Sequence, residues 1–140
     1  MGNTYQAVGN AHRREMLTTK HLMDCSALVY LGNYDPAKDK YRTRIVSHIP
    51  ASNLEMTVSG QQAGALVLEL LDLANRDPNA RMCWVYGDTV GSYTQPDILS
   101  QEYNGRQPIL ECQKLLGARF ETKQGIDIRV TPRGAVEITR

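Results

Sequence analysis

The stretch CSALVYLGNYDPAKDKYRTRIVSHIP, residues 25–50, decides how the rest of the chain is read. Residues 27–30 form an apolar, β-favouring run, and NYDPAKD is strong turn chemistry, with Asn, Asp and Pro each suited to bending the backbone. The return segment, residues 40–49, alternates: Tyr41, Thr43, Ile45, Ser47 and Ile49 share one face of a strand, and Lys40, Arg42, Arg44, Val46 and His48 the other. This is the pattern of a β-hairpin.

Working outward, NLEMTVSG adds a third strand with Leu54, Met56 and Val58 on one side. A helix is expected from Ser59. Ser59 serves as its cap with Gln62 at the reciprocal capping-box position, and Ala63, Leu66, Val67, Leu70, Leu71 and Ala74 follow helical spacing. Leu68 and Leu73 widen this stripe, so a second covering surface is expected, either another helix or a second subunit. Pro78 ends the helix by disfavouring helical geometry at Asp77. RMCWVYGDTVGSYTQPD, residues 81–97, begins as a central strand, apolar on both faces, and leaves it through a Gly-bearing loop. TQPDILSQEYNG and RQPILECQKLLG read as shorter helices, the second with Pro108 near its start and Gly117 just past its end. The N-terminal NAHRREMLTTKHLM is expected to be a short helix with Met16 and Met23 on one face.

The tail ARFETKQGIDIRVTPRGAVEITR reads as a three-stranded meander. Its last turn places Gly134 in a left-handed bulge position, which pairs Val130 with Val136, Ile128 with Ile138 and Arg129 with Glu137. Clustered strand runs and short connections imply an α+β fold. The expectation is a single compact domain over residues 1–140, with a largely antiparallel sheet (the hairpin plus the C-terminal meander) packed against one long amphipathic helix and shorter helices.

At 140 residues, 41% hydrophobic and 22% charged, the composition is that of an ordinary globular protein. The formal net charge of +1 lacks the basic excess of a dedicated nucleic-acid binder. Charge is uneven along the chain, at +3 for residues 1–50, −5 for 51–102 and +3 for 103–140. Cys25, Cys83 and Cys112 are odd in number and widely spaced, which argues for reduced thiols in a cytoplasmic protein. The opening MGNTYQ is close to a myristoylation signal but carries Gln6 where Ser or Thr is required. No apolar run is long enough for a bilayer, so no membrane partner is expected.

Chemical constellations are sparse. Cys83 sits inside an apolar strand beside Trp84, which favours packing over nucleophilic chemistry. His21, Asp24 and Cys25 lack the second ligand pair of a structural zinc site, so no metal or other cofactor is expected. The Gly-bearing GDTVGS and VSGQQAG lack the Walker lysine and the dinucleotide fingerprint. At the strand exit, Tyr86, Asp88, Ser92 and Tyr93 form a candidate loop site, with Asp88 the best-placed carboxylate. The most patterned polar feature is the row Lys38, Lys40, Arg42, Arg44, which a strand would present on one side around Tyr41. Such a ladder suits an acidic protein surface or phosphates, or serves only to keep an edge strand from aggregating.

These features favour a non-enzymatic module that binds another protein, as a small adaptor or inhibitor does, and that self-associates through the wide helix stripe. The alternatives are a nucleic-acid-binding protein that uses the ladder and a small enzyme with its site between Trp84 and Ser92.

Overall fold

The computed structural model describes residues 5–8, 16–19, 22, 26–49, 57–58, 61–86 and 107–139. The hairpin anticipated from residues 25–50 forms its centre. Strand β3 (Ser26–Asp35) pairs antiparallel with β4 (Lys40–Ile49), from Ser26 opposite Ile49 to Asp35 opposite Lys40. Asp35 holds the turn: its carboxylate accepts hydrogen bonds from the Ala37 and Lys38 amides at 3.0 and 3.4 Å and from Arg42 at 3.0 Å. The outer edge of β4 pairs with β1 (Tyr5–Val8), and that of β3 with β7 (Arg81–Tyr86), both antiparallel. β7 in turn pairs parallel with β8 (Phe120–Gln124), which completes a five-stranded sheet in the order β1-β4-β3-β7-β8. β7 is thus a central strand, as its apolar character on both faces required.

Two helices cover one face of this sheet. Helix α1 (Ala63–Asn75) turns Val67, Leu70, Leu71 and Ala74 inward, and α2 (Gln107–Leu116) turns Ile109, Cys112 and Leu116 inward. They bury Leu28, Tyr30, Ile45, Met82, Trp84 and Phe120 of the sheet. Gly117 ends α2 with a φ of 56°, the left-handed conformation expected after a helix. Arg119 then clamps the end of α1, donating to the Ala74, Asp77 and Ala80 carbonyls at 3.3, 2.9 and 3.1 Å. Those groups sit at or beyond the last turn of α1, where carbonyls lack intrahelical donors.

A second sheet covers the opposite face. β9 (Asp127–Val130) lies between β10 (Val136–Thr139) and β2 (Leu17–Thr19), all antiparallel. The β9–β10 register pairs Val130 with Val136, Ile128 with Ile138 and Arg129 with Glu137, as the turn chemistry dictated. Gly134 has a φ of 97°, and the Arg129–Glu137 ion pair closes to 2.7 Å. Leu17, Ile128 and Val130 bury Ala27, Val29, Leu31, Val46 and Val85 of the central sheet.

Four expectations are corrected. Residues 17–19 are strand, not helix: Leu17 is buried while Met16 and Thr18 are exposed, and period two wins because β9 offers an edge. Gln61 and Gln62 form β6, paired with β5 (Thr57–Val58), so Gln62 is not the third helical residue of a capping box. Helix α1 therefore starts at Ala63 and spans 13 residues, shorter than the pattern from Ser59 suggested. Leu68 and Leu73 are 44% and 39% exposed, so no described helix supplies the second cover expected for them. The tail is no meander, because β8 joins the central sheet and only β9 and β10 pair with each other. The chain changes sheets at Gly125, where a Cβ would collide with the Ile138 side chain. β7 and β8 run parallel because α2 lies on the connection between them, a crossover long enough to return the chain to the same end. Leu54, Met56, Met23 and the helix expected from TQPDILSQEYNG lie outside the described residues. No described helix is long and apolar enough to cross a membrane.

Candidate functional site

Three strands cannot cover five. β2 packs over β4, and β10 lies toward β7 and β8, where the two sheets part and leave a cleft of about 210 Å³. Its apolar walls come from both layers: Leu31 of β3 and Cys83 of β7 on one side, Val136 and Ile138 of β10 on the other. Tyr41 and Gly134 also line it, and the half-exposed Arg81, Glu121 and Lys123 stand at its opening. Gly134 is required there, since a Cβ would come within 2.7 Å of the Tyr41 ring. A dry cavity of ~150 Å³ holds one benzene, so this volume suits an aromatic or branched aliphatic group.

Tyr41 reaches the cleft through a break in alternation. Strict alternation places it with Ile45, which faces the helices, yet it packs with the cluster around Leu31 and Val46. The β3–β4 ladder skips the Asn33–Arg42 position, where Asn33 adopts a φ of 55°, and the pleat restarts beyond it. Asn tolerates this left-handed conformation better than most residues. Asn33 is held there by its amide donating to Asp77 at 2.8 Å and its side chain donating to Thr43 at 2.7 Å. Tyr34 crosses with its partner, the two rings lying 5.1 Å apart.

The electrostatics of the opening are distinctive. Glu121 faces Arg81 at 3.7 Å and Lys123 at 3.6 Å, one cation near each carboxylate oxygen. Elsewhere ion pairs close to hydrogen-bonding distance, at 3.0 Å for Arg42–Asp35, 3.0 Å for Arg76–Asp72 and 2.7 Å for Arg129–Glu137. Burial, and then the Glu121 charge, push the Cys83 thiol up to about 12, so it stays protonated near neutral pH and is a poor nucleophile. Burial also raises the Tyr41 phenol, against the pull of Arg81.

Folding gives the members of the cationic row different surroundings. Lys38 lies in the turn between β3 and β4, and Arg42 is exposed and paired with Asp35. Arg44 is fully buried between the sheets, donating to the Val130 and Thr131 carbonyls at 3.1 and 2.9 Å. Its place in a contact surface is therefore corrected: the same alternation that lines up the cations carries Arg44 onto a face that the second sheet covers. Lys40 is half-buried, and of the five residues only Tyr41 lines the cleft. Tyr86 is the last residue of β7; Asp88, Ser92 and Tyr93 lie outside the described residues. Among the described residues no group of three His, Cys, Asp or Glu side chains is placed to hold a metal ion.

Compared with protein-family models and with curated proteins, the chain matches none. Its site is read from its own chemistry. Sequence reasoning missed Leu31, Arg81, Glu121, Lys123, Val136 and Ile138 as a group, because they come from four strands in two sheets. The one signal available was Gly134, whose turn fixes where Val136 and Ile138 point.

Proposed function

We propose that this protein acts by binding another protein, in the manner of a small adaptor or inhibitor, and takes an apolar side chain of an extended partner segment into the cleft. The observation that carries this reading is the apolar-walled opening between β8 and β10, of a size for one large side chain. Among the described residues, β8 pairs with β7 and β10 with β9, so each stands at the margin of its sheet beside the cleft. Strand addition with alternate side chains in pockets is an established way of recognising extended peptides. The cation row no longer favours a phosphate backbone, since Arg44 is interior and Arg42 answers Asp35.

Peptide selection tests the reading. Displayed random peptides are selected on the wild-type protein and their affinities remeasured on Val136→Trp, which fills the cleft from a half-buried position. Peptides sharing an apolar anchor, with binding lost in the folded variant, are the expected outcome. Equal affinity for both proteins would show that the cleft is not the contact.

A further inference from the structure

The opening of the cleft holds more hydrogen-bond donors than acceptors. The Arg81 guanidinium and the Lys123 ammonium are both half-exposed, and their ion-pair partner is the shared Glu121 carboxylate, beyond hydrogen-bonding distance of each. Neither side chain makes a hydrogen bond among the described residues, and neither does the hydroxyl of Tyr41, which also lines the cleft. An arginine offers five N–H groups and a lysine three, so most of this donor capacity is unmatched among the described residues. The three charged groups sum to a single positive charge. Along the strands, Arg81 stands two residues before Cys83, and Lys123 two residues after Glu121, which is the register partner of Cys83. The two cations thus flank the cleft at the spacing of same-face neighbours in a strand, roughly 6.6 Å per two residues.

We infer that the cleft selects a protein segment carrying an acidic side chain two residues from its apolar anchor, with Arg81 or Lys123 taking the carboxylate. This inference rests on the binding reading above. The bound carboxylate competes with Glu121 for the two cations, so Glu121 sets how strongly the site holds it.

The probes are three synthetic peptides: Ac-Thr-Glu-Thr-Leu-Thr-Glu-Thr-NH2, its counterpart with both Glu replaced by Gln, and a third with Leu replaced by Ala. Two Glu residues place a carboxylate beside the anchor in either strand direction. Binding is followed by chemical-shift titration of the Tyr41, Cys83, Val136 and Ile138 signals. The Glu peptide is expected to bind about tenfold more tightly than the Gln peptide, as a charge-assisted hydrogen bond at a half-exposed site allows. Arg81→Gln and Lys123→Gln together remove that advantage, so that the Glu and Gln peptides then bind alike. Glu121→Gln tightens the Glu peptide severalfold, a gain that general damage to the fold does not produce.

Equal affinities for the Glu and Gln peptides, with both lost in Val136→Trp, would overturn the carboxylate inference and leave the binding reading standing. If the Leu and Ala peptides bind alike, or Val136→Trp changes nothing, the binding reading falls and the inference with it. Free 4-methylpentanoate binding as tightly as the Glu peptide would assign the site to small organic acids and overturn the protein partner.

Discussion

The two faces of the five-stranded sheet are closed by different means. On one, α1 and α2 lay Val67, Leu70, Leu71, Ile109 and Cys112 over Leu28, Tyr30, Met82, Trp84 and Phe120. That face is largely apolar, with the hydroxyls of Ser26 and Ser47 and the indole nitrogen of Trp84 among its buried polar atoms. On the other, three strands lie over a row of smaller residues, Ala27, Val29, Val46 and Val85, with the charged Arg44 sealed among them. The side chains of α1 and α2 reach residues of β3, β4, β7 and β8. A narrow second sheet covers only what lies beneath it, and the uncovered margin at β7 and β8 becomes the cleft. The difference teaches that helices close one face of the sheet while the narrower β9–β10 side leaves a cleft open.

The comparison breaks first if the helix face proves tolerant of truncation. Leu28→Ala, at a fully buried position, is expected to cost about 4 kcal/mol in urea unfolding, whereas Val136→Ala at the half-buried cleft wall costs about 1 kcal/mol. Similar losses at the two sites would mean that the faces do not differ as described.

Arg44 tests the second sheet next. Arg44→Ala opens a void and strips a donor from the Val130 and Thr131 carbonyls, an expected loss of about 3 kcal/mol with the fold retained. A change within error would show that the buried guanidinium does not tie β4 to β9.

The thiols lie one on each face, and their ionisation and reactivity probe both. Burial raises both Cys83 and Cys112 from 9.0 to about 12. The unfolded chain then releases these protons first, so the stability present below pH 9 declines as pH rises toward 12. Urea midpoints measured from pH 8 upward check this sign. In the native protein a small alkylating reagent should reach Cys83, 8% exposed at the cleft, before Cys112, which is fully buried on the inner face of α2. The reverse order would place the opening on the wrong face.

Much of the local structure was legible because short-range chemistry dictates it. The NYDPAKD turn, the strand at residues 81–86, the Gly117 helix end and the complete β9–β10 register all follow from neighbouring residues. The errors share a cause. β8 adjoins β9 in sequence, and a meander is the simplest local continuation, but its hydrogen bonds go to β7, about forty residues earlier. LTT at residues 17–19 has no strong period of its own, and the edge of β9 decides its conformation. The candidate site suffered most. The ladder was read from alternation alone, which lines side chains up on a face but is silent about what covers it.

By itself, then, the amino-acid sequence determined which segments turn, where α2 ends, and how the last hairpin registers, because those outcomes depend on φ preferences and pair contacts a few residues apart. Only the tertiary structure decided that Arg44 is buried, that Tyr41 crosses to the other face, and that Arg81, Glu121 and Lys123 meet at one opening. The reason is geometric: those outcomes depend on two sheets of unequal width being stacked, a relation between residues up to about a hundred positions apart that no local pattern carries.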